Sequence, residues 1–561
     1  MVFSLVLIIF QLGGRHFDIR TPLSVFGDGL FHLLMAKRLI AGDGYFIDSA
    51  LGYPYGSNLY DFPGSDSLSM LFIYLVGKLT GSPFIAVNSY YIVGFPLATW
   101  SFALVARRMG IAIVPSVVGG ILFTALPFHF LRLNHLYYTW YFVVPLYAWV
   151  GWKIYEWNPA SRVTRAWWCR AGLSAIGLAV LASAGIYYAV FGMIGLMVAG
   201  ILGIVERGSL RQLALSIAGC AVIVLTVLAN TAPNTLYKLA NGPNLQVADR
   251  VPQEADIYGL KIAQLLLPQP VHRVEWLREV NREYERLFPL VNENASSSLG
   301  LVGGLGFIGL LAFLVFGRRN LAHPTPARYF SVVVFAFLLI ATIGGFASLF
   351  AFFVSPMIRA WNRISIFIAF FSIAAAMMAL AWQSGRLRIY RWGGIASIVM
   401  AAVVLAIGLE DQVGNRCDRG CAASMQGHVN RQRYFFANVQ KAVPPGAAIY
   451  TLPFMEFPET PPKNELETYS LAEGYLYTSG LKWSYGAMKG RDAGDKLYRE
   501  LEKKPISEQI DAVKALGFTG ILIDRRGYED AGVAVESELK ASGKVRLAVE
   551  QDFRALYVIT P

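Results

Sequence analysis

Charge is what this 561-residue chain has least of. Only 15% of its residues are charged, against 55% hydrophobic, where a soluble domain usually carries about 25% charged residues. With a mean hydropathy of +0.46, a soluble multidomain protein is excluded before any motif is considered. Cysteine is scarce too, and four residues cannot staple a disulfide scaffold. Cys169 at a span edge and Cys220 inside a span read as packing residues. Cys417 and Cys421, in "CDRGC", suit a small disulfide loop if their side of the membrane is oxidising, and no second Cys or His pair stands at zinc spacing. Also missing are a Walker A sequence, a dinucleotide fingerprint, G-x-S-x-G and a zinc-protease motif, so nucleotide-driven chemistry has no support. The opening "MVFSLVLIIFQLGG" lacks a basic n-region and a small-residue cleavage site, and is expected to be a retained first span.

What is present in quantity is apolar sequence. Runs long enough for a helix to cross the hydrocarbon, about 20 residues, recur to about residue 409. They predict spans near 1–13, 85–107, 112–128, 136–156, 169–183, 187–204, 212–231, 299–316, 329–352, 364–382 and 393–409. The period-two alternation of a β-barrel is absent, so the fold class is a polytopic α-helical membrane protein of about 11 transmembrane helices. Loops 105–112, 152–170, 205–211, 317–328 and 383–392 hold fourteen Arg or Lys against two acids, Glu156 and Glu206. That bias marks them as cytoplasmic and explains the net charge of +12 without a nucleic-acid partner. Alternation then puts 14–84, 232–298, 353–363 and everything after 409 on the outer side. The run at 67–80 is read as an interfacial helix, because a span there would turn Arg107 and Arg108 outward. From about 410, "AAIYTLPF", "GFTGILIDRR" and "FRALYVIT" alternate with helical stretches, predicting a soluble α/β domain over 410–561 after a transmembrane domain over 1–409.

Loop 14–84 is long for a connection between spans, and such loops tend to carry function. In "FGDGLFH", Asp28 and His32 share a face if a helix begins at Gly29. Asp28 then reads as an N-cap or as a base whose pKa is raised at the membrane surface. Asp61 in "YDFPG" reads as a turn residue or as a second acid. "PFHFLRLNHLYY" brings His129, Arg132 and His135 to the end of a span, suited to phosphate or sugar, or to interfacial snorkelling of Arg132. Tyr187 and Tyr188 read as aromatic-belt residues. Arg359 and Arg363 stand at i and i+4 on the outer side, where the topology does not call for cations. Their paired guanidiniums suit a phosphorylated substrate or a lipid headgroup. Tyr258, Lys261, His272 and Glu293 are candidates in a loop folded over the cavity. Tyr485, Lys489 and Arg491 form an aromatic basic stretch that suits a sugar or lipid phosphate, or a packed loop.

The order "FGDGLFH", "DFPGSDSLSMLFIYLVGKLTG", "FALVARRMG" resembles the GT-C class of membrane glycosyltransferases, which includes protein O-mannosyltransferases and the aminoarabinose transferase of lipid A. The resemblance covers roughly the first 230 residues as an order of features. It implies a GT-C-like fold, a polyprenyl-phosphate-linked sugar as donor, and inverting transfer to a glycan, lipid or protein acceptor. It further implies that Asp28 is the loop acid that deprotonates the acceptor hydroxyl. The adjacent Asp-Glu pair of the class is missing from loop 14–84, so Asp61 stands beside Asp28 as the base. A divalent metal ion shared by Asp28, His32 and Asp61 stands beside a metal-free mechanism. Arg359 and Arg363 suit the leaving phosphate by position and chemistry. The resemblance places the chain among the lipids of a bacterial inner membrane, with the C-terminal domain periplasmic or extracellular.

Two other function classes share this topology: a flippase for lipid-linked sugars, and a non-catalytic assembly protein for envelope polysaccharide. Most spans, 299–316 and 364–382 among them, carry no ionisable residue, which disfavours transport. The topology is checked by cysteine accessibility at position 420. Labelling from the outer face is the expected outcome; labelling from the cytoplasm alone overturns the topology and the mechanism together.

Overall fold

The computed structural model describes all residues except 42–43, 63, 65, 159–161, 163, 318–324, 388–389, 492 and 561. Much of basic loop 317–328 and parts of loops 152–170 and 383–392 therefore lie outside the described residues. Helices stand at all eleven predicted stretches. Among the described residues, six are long and apolar enough to cross a membrane: Pro83–Arg108, Ile113–Phe130, Ile186–Arg207, Leu210–Asn241, Trp361–Leu387 and Gly393–Gln412. The count of about eleven is thus met, by length and composition, for six. Large apolar side chains such as Leu225 and Leu228 stay exposed on these helices, as a lipid-facing surface requires.

Two predicted spans differ in detail. In 136–156, residues Leu133–Thr139 form a 3-10 segment with a non-helical His135, and the helix runs only over Val143–Glu156. The Leu136 amide there donates to His32 Nε2 at 3.2 Å instead of closing a helical turn. In 329–352, helix Pro326–Ala341 stops where Thr342 bridges Leu260, and Phe346–Phe353 continues separately. Helix Ser67–Thr80 has 14 residues, about 21 Å at 1.5 Å per residue, short of the hydrocarbon thickness.

Loop 14–84 is built around helix Asp28–Ala41, in which Gly29 through Ala36 are all buried. A short hairpin follows, β1 (Ile47–Asp48) against β2 (Ser57–Asn58). After Gln412 and the Cys417–Cys421 disulfide, helix Arg419–Ala442 leads into a sheet. Its strands are β3 (Ala448–Leu452), β4 (Lys482–Trp483), β5 (Phe518–Asp524), β6 (Val545–Gln551) and β7 (Arg554–Ile559), in the order β4-β3-β5-β7-β6. β3 pairs parallel with β4 and β5, and β7 runs antiparallel to β5 and β6. All five residues of β3 are buried, the near-continuous apolar run of a strand covered on both faces.

Loop 14–84 and the sheet form one structure. Trp483 donates its amide to Ala50 at 2.8 Å and accepts from Tyr53 at 3.0 Å, so the loop backbone extends the β4 edge. Leu34, Leu51, Phe457 and Trp483 lie in one apolar cluster. Asp61, fully buried, accepts from Arg491 Nε at 2.7 Å and Nη2 at 2.6 Å, and from Asn244 at 3.2 Å. This carboxylate ties loop 14–84 to loop 232–298 and to the C-terminal sheet. Removing one partner of such a buried pair costs about 3 kcal/mol or more, while replacing both costs less. Asp61→Ala is expected to lower the melting temperature in detergent clearly, and the double variant Asp61→Ala/Arg491→Met to recover part of the loss.

Candidate active site

Gly27 adopts φ +48°, a left-handed conformation that glycine tolerates without strain. It turns the chain into helix Asp28–Ala41, whose first residue is Asp28 itself. Asp28 is therefore not the cap of a helix beginning at Gly29. Among the described residues no amide donates to its carboxylate, which lies half-exposed near the positive end of the helix dipole. His135 Nε2 is 3.8 Å from Asp28 Oδ2 and 3.6 Å from Glu293 Oε1.

Glu293 is the centre of the charged cluster. Arg363 grips it with a two-point fork, Nε to Oε2 at 3.1 Å and Nη2 to Oε1 at 3.0 Å, and Arg132 donates to the same Oε2. Tyr138 and Tyr187 flank the Arg363 guanidinium at 4.1 and 4.6 Å from its central carbon to each ring centre, a cation–π setting that holds the fork in place. Arg132 and Arg363 are both buried.

The titration behaviour follows from these neighbours. Burial raises Asp28, and Glu459 and Glu293 push the same way, while Arg363 and Arg359 oppose. Burial also acts to raise Glu293, but Arg132 and Arg363 outweigh it and hold the carboxylate well below the usual range. Burial pulls His135 down to about 3 against the attraction of Glu293, so the imidazole is neutral. Asp66, at the start of helix Ser67–Thr80, is pushed up to about 7 by burial, with Arg363 opposing. Its carboxyl has no hydrogen-bond partner among the described residues, and a side-chain carbon at position 185 would stand 3.2 Å from its Oδ1, so Gly185 leaves it room.

Several predicted site residues lie elsewhere. His129 is fully buried, stacked on Phe95 at 3.6 Å and bonded to Tyr141, because it sits within the helix packing rather than beyond it. His32 turns to the 131–139 loop, and burial lowers it to about 4. Arg359 and Arg363 do not share a helix face: Trp361–Ile364 is a 3-10 turn, and Arg359 instead pairs with Glu254 at 2.6 Å over the Tyr258 ring. Lys261 donates to the Pro289 carbonyl. Tyr485 is buried against Phe457, Lys489 donates to the Glu459 carbonyl at 2.7 Å, and Arg491 holds Asp61. Tyr485 and Lys489 are ties within the C-terminal region, and Arg491 ties that region to loop 14–84. With Asp61 on Arg491 and His32 on Leu136, the ligands suggested for a divalent ion do not converge. Among the described residues no three His, Cys, Asp or Glu side chains group as a metal site requires.

Of the acids, Asp66, Glu254 and Glu459 escaped sequence reasoning. Asp66 had a signal, an acid directly before an apolar helix in the same loop as Asp28. A cavity of about 530 Å³, lined by Leu12, Phe17, Leu23, Tyr91, Leu133 and Arg278, lies beside the cluster rather than on it.

No family model and no curated protein sequence matches the chain. Solved structures do. ArnT from Cupriavidus metallidurans bound to undecaprenyl phosphate aligns with TM-score 0.54 at 15% identity, over 99% of this chain and 97% of that one. The mycobacterial arabinofuranosyltransferase AftD gives 0.53 at 14%, over 100% of this chain and 41% of AftD. The oligosaccharyltransferase of Archaeoglobus fulgidus in its apo form gives 0.51 at 11%, over 93% and 68%. At these identities the likeness speaks for the fold alone, and the fold is that of the GT-C membrane glycosyltransferases.

Proposed function

We propose that the protein is a membrane glycosyltransferase that moves a sugar from a polyprenyl-phosphate donor to a glycan, lipid or protein acceptor at the outer face of the membrane. The observation that carries this reading is the pairing, on this fold, of an open carboxylate at Asp28 with the guanidiniums of Arg132 and Arg363 across His135. Support comes from ArnT, a full-length structural match whose structure holds undecaprenyl phosphate. In the proposed step, Asp28 takes the acceptor hydroxyl proton as the oxygen attacks the anomeric carbon. The new C–O bond forms on the face opposite the breaking C–O bond to phosphate, so configuration inverts. The bonding pair leaves with the lipid phosphate, and its growing charge is met by preorganised guanidiniums. Neutral His135 accepts or donates a hydrogen bond beside Asp28 without competing for the proton. Asp61, bound on both oxygens by Arg491, is assigned a supporting part, and the metal-free form of the mechanism is preferred because the suggested ligands diverge.

The test is transfer of radiolabelled sugar from a polyprenyl-phosphate sugar by membranes carrying each variant. Asp28→Asn is expected to lose 100-fold or more, the scale of a general base. Asp61→Asn is expected to lower yield of folded protein but not the rate per folded molecule. Full transfer by Asp28→Asn would sink the base assignment.

A pH dependence follows as well. Transfer requires ionised Asp28, whose pKa is raised, so the rate climbs with pH through a midpoint above the ordinary Asp value near 4. Asp66 acts on stability instead. Folded Asp66 holds its proton to about pH 7 while the unfolded chain releases it near 4, so stability falls as pH rises across that window. Melting curves from pH 4.5 to 7.5 are expected to slope less in Asp66→Asn than in wild type. An unchanged slope rules out this role for Asp66.

A further inference from the structure

Two buried cations of the charged cluster share one carboxylate. Arg132 and Arg363 are 1% and 6% exposed, and both bind Glu293. The other carboxylate of the cluster, Asp28, stands apart across His135 and touches neither guanidinium. One donor is also unused: buried Arg132 Nε has no hydrogen-bond partner among the described residues. Two converging guanidiniums with a donor to spare suit an anion with more oxygens than a carboxylate.

Glu293 reaches the cluster from a short 3-10 turn, Asn292–Ser296. The chain before it is unusual, because Leu290 and Asn292 both adopt positive φ, 58° and 45°. Non-glycine residues there carry strain that the surroundings must hold in place. Around Glu293 the chain is held by Asn292 to the Ile257 carbonyl at 2.7 Å, Lys261 to Pro289 and the arginine contacts, and just beyond it buried Asn294 donates to the Gly259 carbonyl and accepts from the Lys261 amide, each at 2.9 Å. The Glu293 carboxylate presents two oxygens to the Arg363 fork as two oxygens of a phosphate would.

We propose that Glu293 is an internal stand-in for the phosphate of the ligand, filling the Arg132–Arg363 anion site in the resting protein and yielding it on binding. The exchange keeps the buried guanidiniums neutralised at every stage, which avoids the cost of stranding them unpaired. A lipid phosphate also offers an oxygen to Arg132 Nε. When Glu293 leaves, the strained 290–293 stretch loses its arginine contacts while Asn294 stays anchored. This rests on the lipid-phosphate reading above and adds the competition between protein carboxylate and ligand phosphate.

The experiment measures binding of farnesyl monophosphate, and separately of inorganic phosphate, to purified full-length protein in detergent. The forms compared are wild type, Glu293→Gln, Glu293→Asp and Arg363→Ala. Removing a competing anion is expected to tighten farnesyl phosphate binding at least tenfold in Glu293→Gln. The shorter Glu293→Asp, which keeps charge but not the two-point reach, is expected to fall between and serves if the Gln variant is poorly folded. Arg363→Ala is expected to abolish binding. Tightening for farnesyl phosphate but not inorganic phosphate assigns the site to a lipid headgroup; equal tightening for both assigns it to free phosphate and keeps the displacement. Weaker or equal binding in the Glu293 variants makes Glu293 a strut that positions the arginines and overturns the proposal while leaving the donor reading intact. No binding of either probe by any form overturns both.

Discussion

A buried guanidinium cannot be left without a counter-charge, and the loop-bearing part of this protein is arranged around that rule. Arg363 and Arg132 share Glu293, Arg359 takes Glu254, and Arg491 takes Asp61. The partners come from different stretches of chain, so each pair is also a fastening between loops. Glu293 pins loop 232–298 to the turn before helix Ser365–Leu387 and to the loop after Ile113–Phe130. Asp61 pins loop 14–84 to the C-terminal region. Asp28 differs: its carboxylate meets only a neutral imidazole at 3.8 Å, and that lack of a cation is what leaves it available for chemistry.

The second constraint is backbone satisfaction. Residues 50–53 supply an added edge to β4, so the loop that carries Asp28 is fixed by main-chain bonds to the C-terminal sheet, and Arg491, beyond β4, ties the same loop again. Helix Asp28–Ala41 is consequently packed on nearly every side, against Phe457 and Tyr469 of the C-terminal region through Phe31 and against Tyr137 through His32. A carboxylate at the first turn of so confined a helix keeps its direction without a side-chain cap, which is the rigidity that a proton-transfer geometry demands.

How much of this the sequence disclosed depends on the range of the interaction. Apolar runs and loop charge are local, and they placed the helices, the C-terminal strands and the candidacy of Asp28. Arg132, His135, Arg363 and Glu293 were each visible as polar residues on the outer side, but their convergence joins positions 161 and 70 residues apart, and no local pattern encodes it. The i, i+4 reading of Arg359 and Arg363 failed because it assumed helix where the chain makes a 3-10 turn, which sends the two side chains to different acids. His129 was misplaced for a related reason: it ends a helix in sequence, yet its ring folds back onto Phe95. Asp61 looked like a turn residue or a base, and only the fold brings Arg491 to it from 430 residues away.

Asp28 and Asp66, both in loop 14–84, divide the available roles by their surroundings. Asp66 is pushed to about 7 and is close to half protonated at neutral pH. Burial, Glu459 and Glu293 raise Asp28 as well, while Arg363 and Arg359 oppose them. A base must be ionised before the acceptor arrives, and it must be reachable by that acceptor. Asp28 is open to an acceptor, while Asp66 sits in the room that Gly185 leaves and holds its proton to about pH 7. Arg363 lowers the pKa of both acids, so the guanidinium that Glu293 holds in place also sets how strongly each carboxyl keeps its proton.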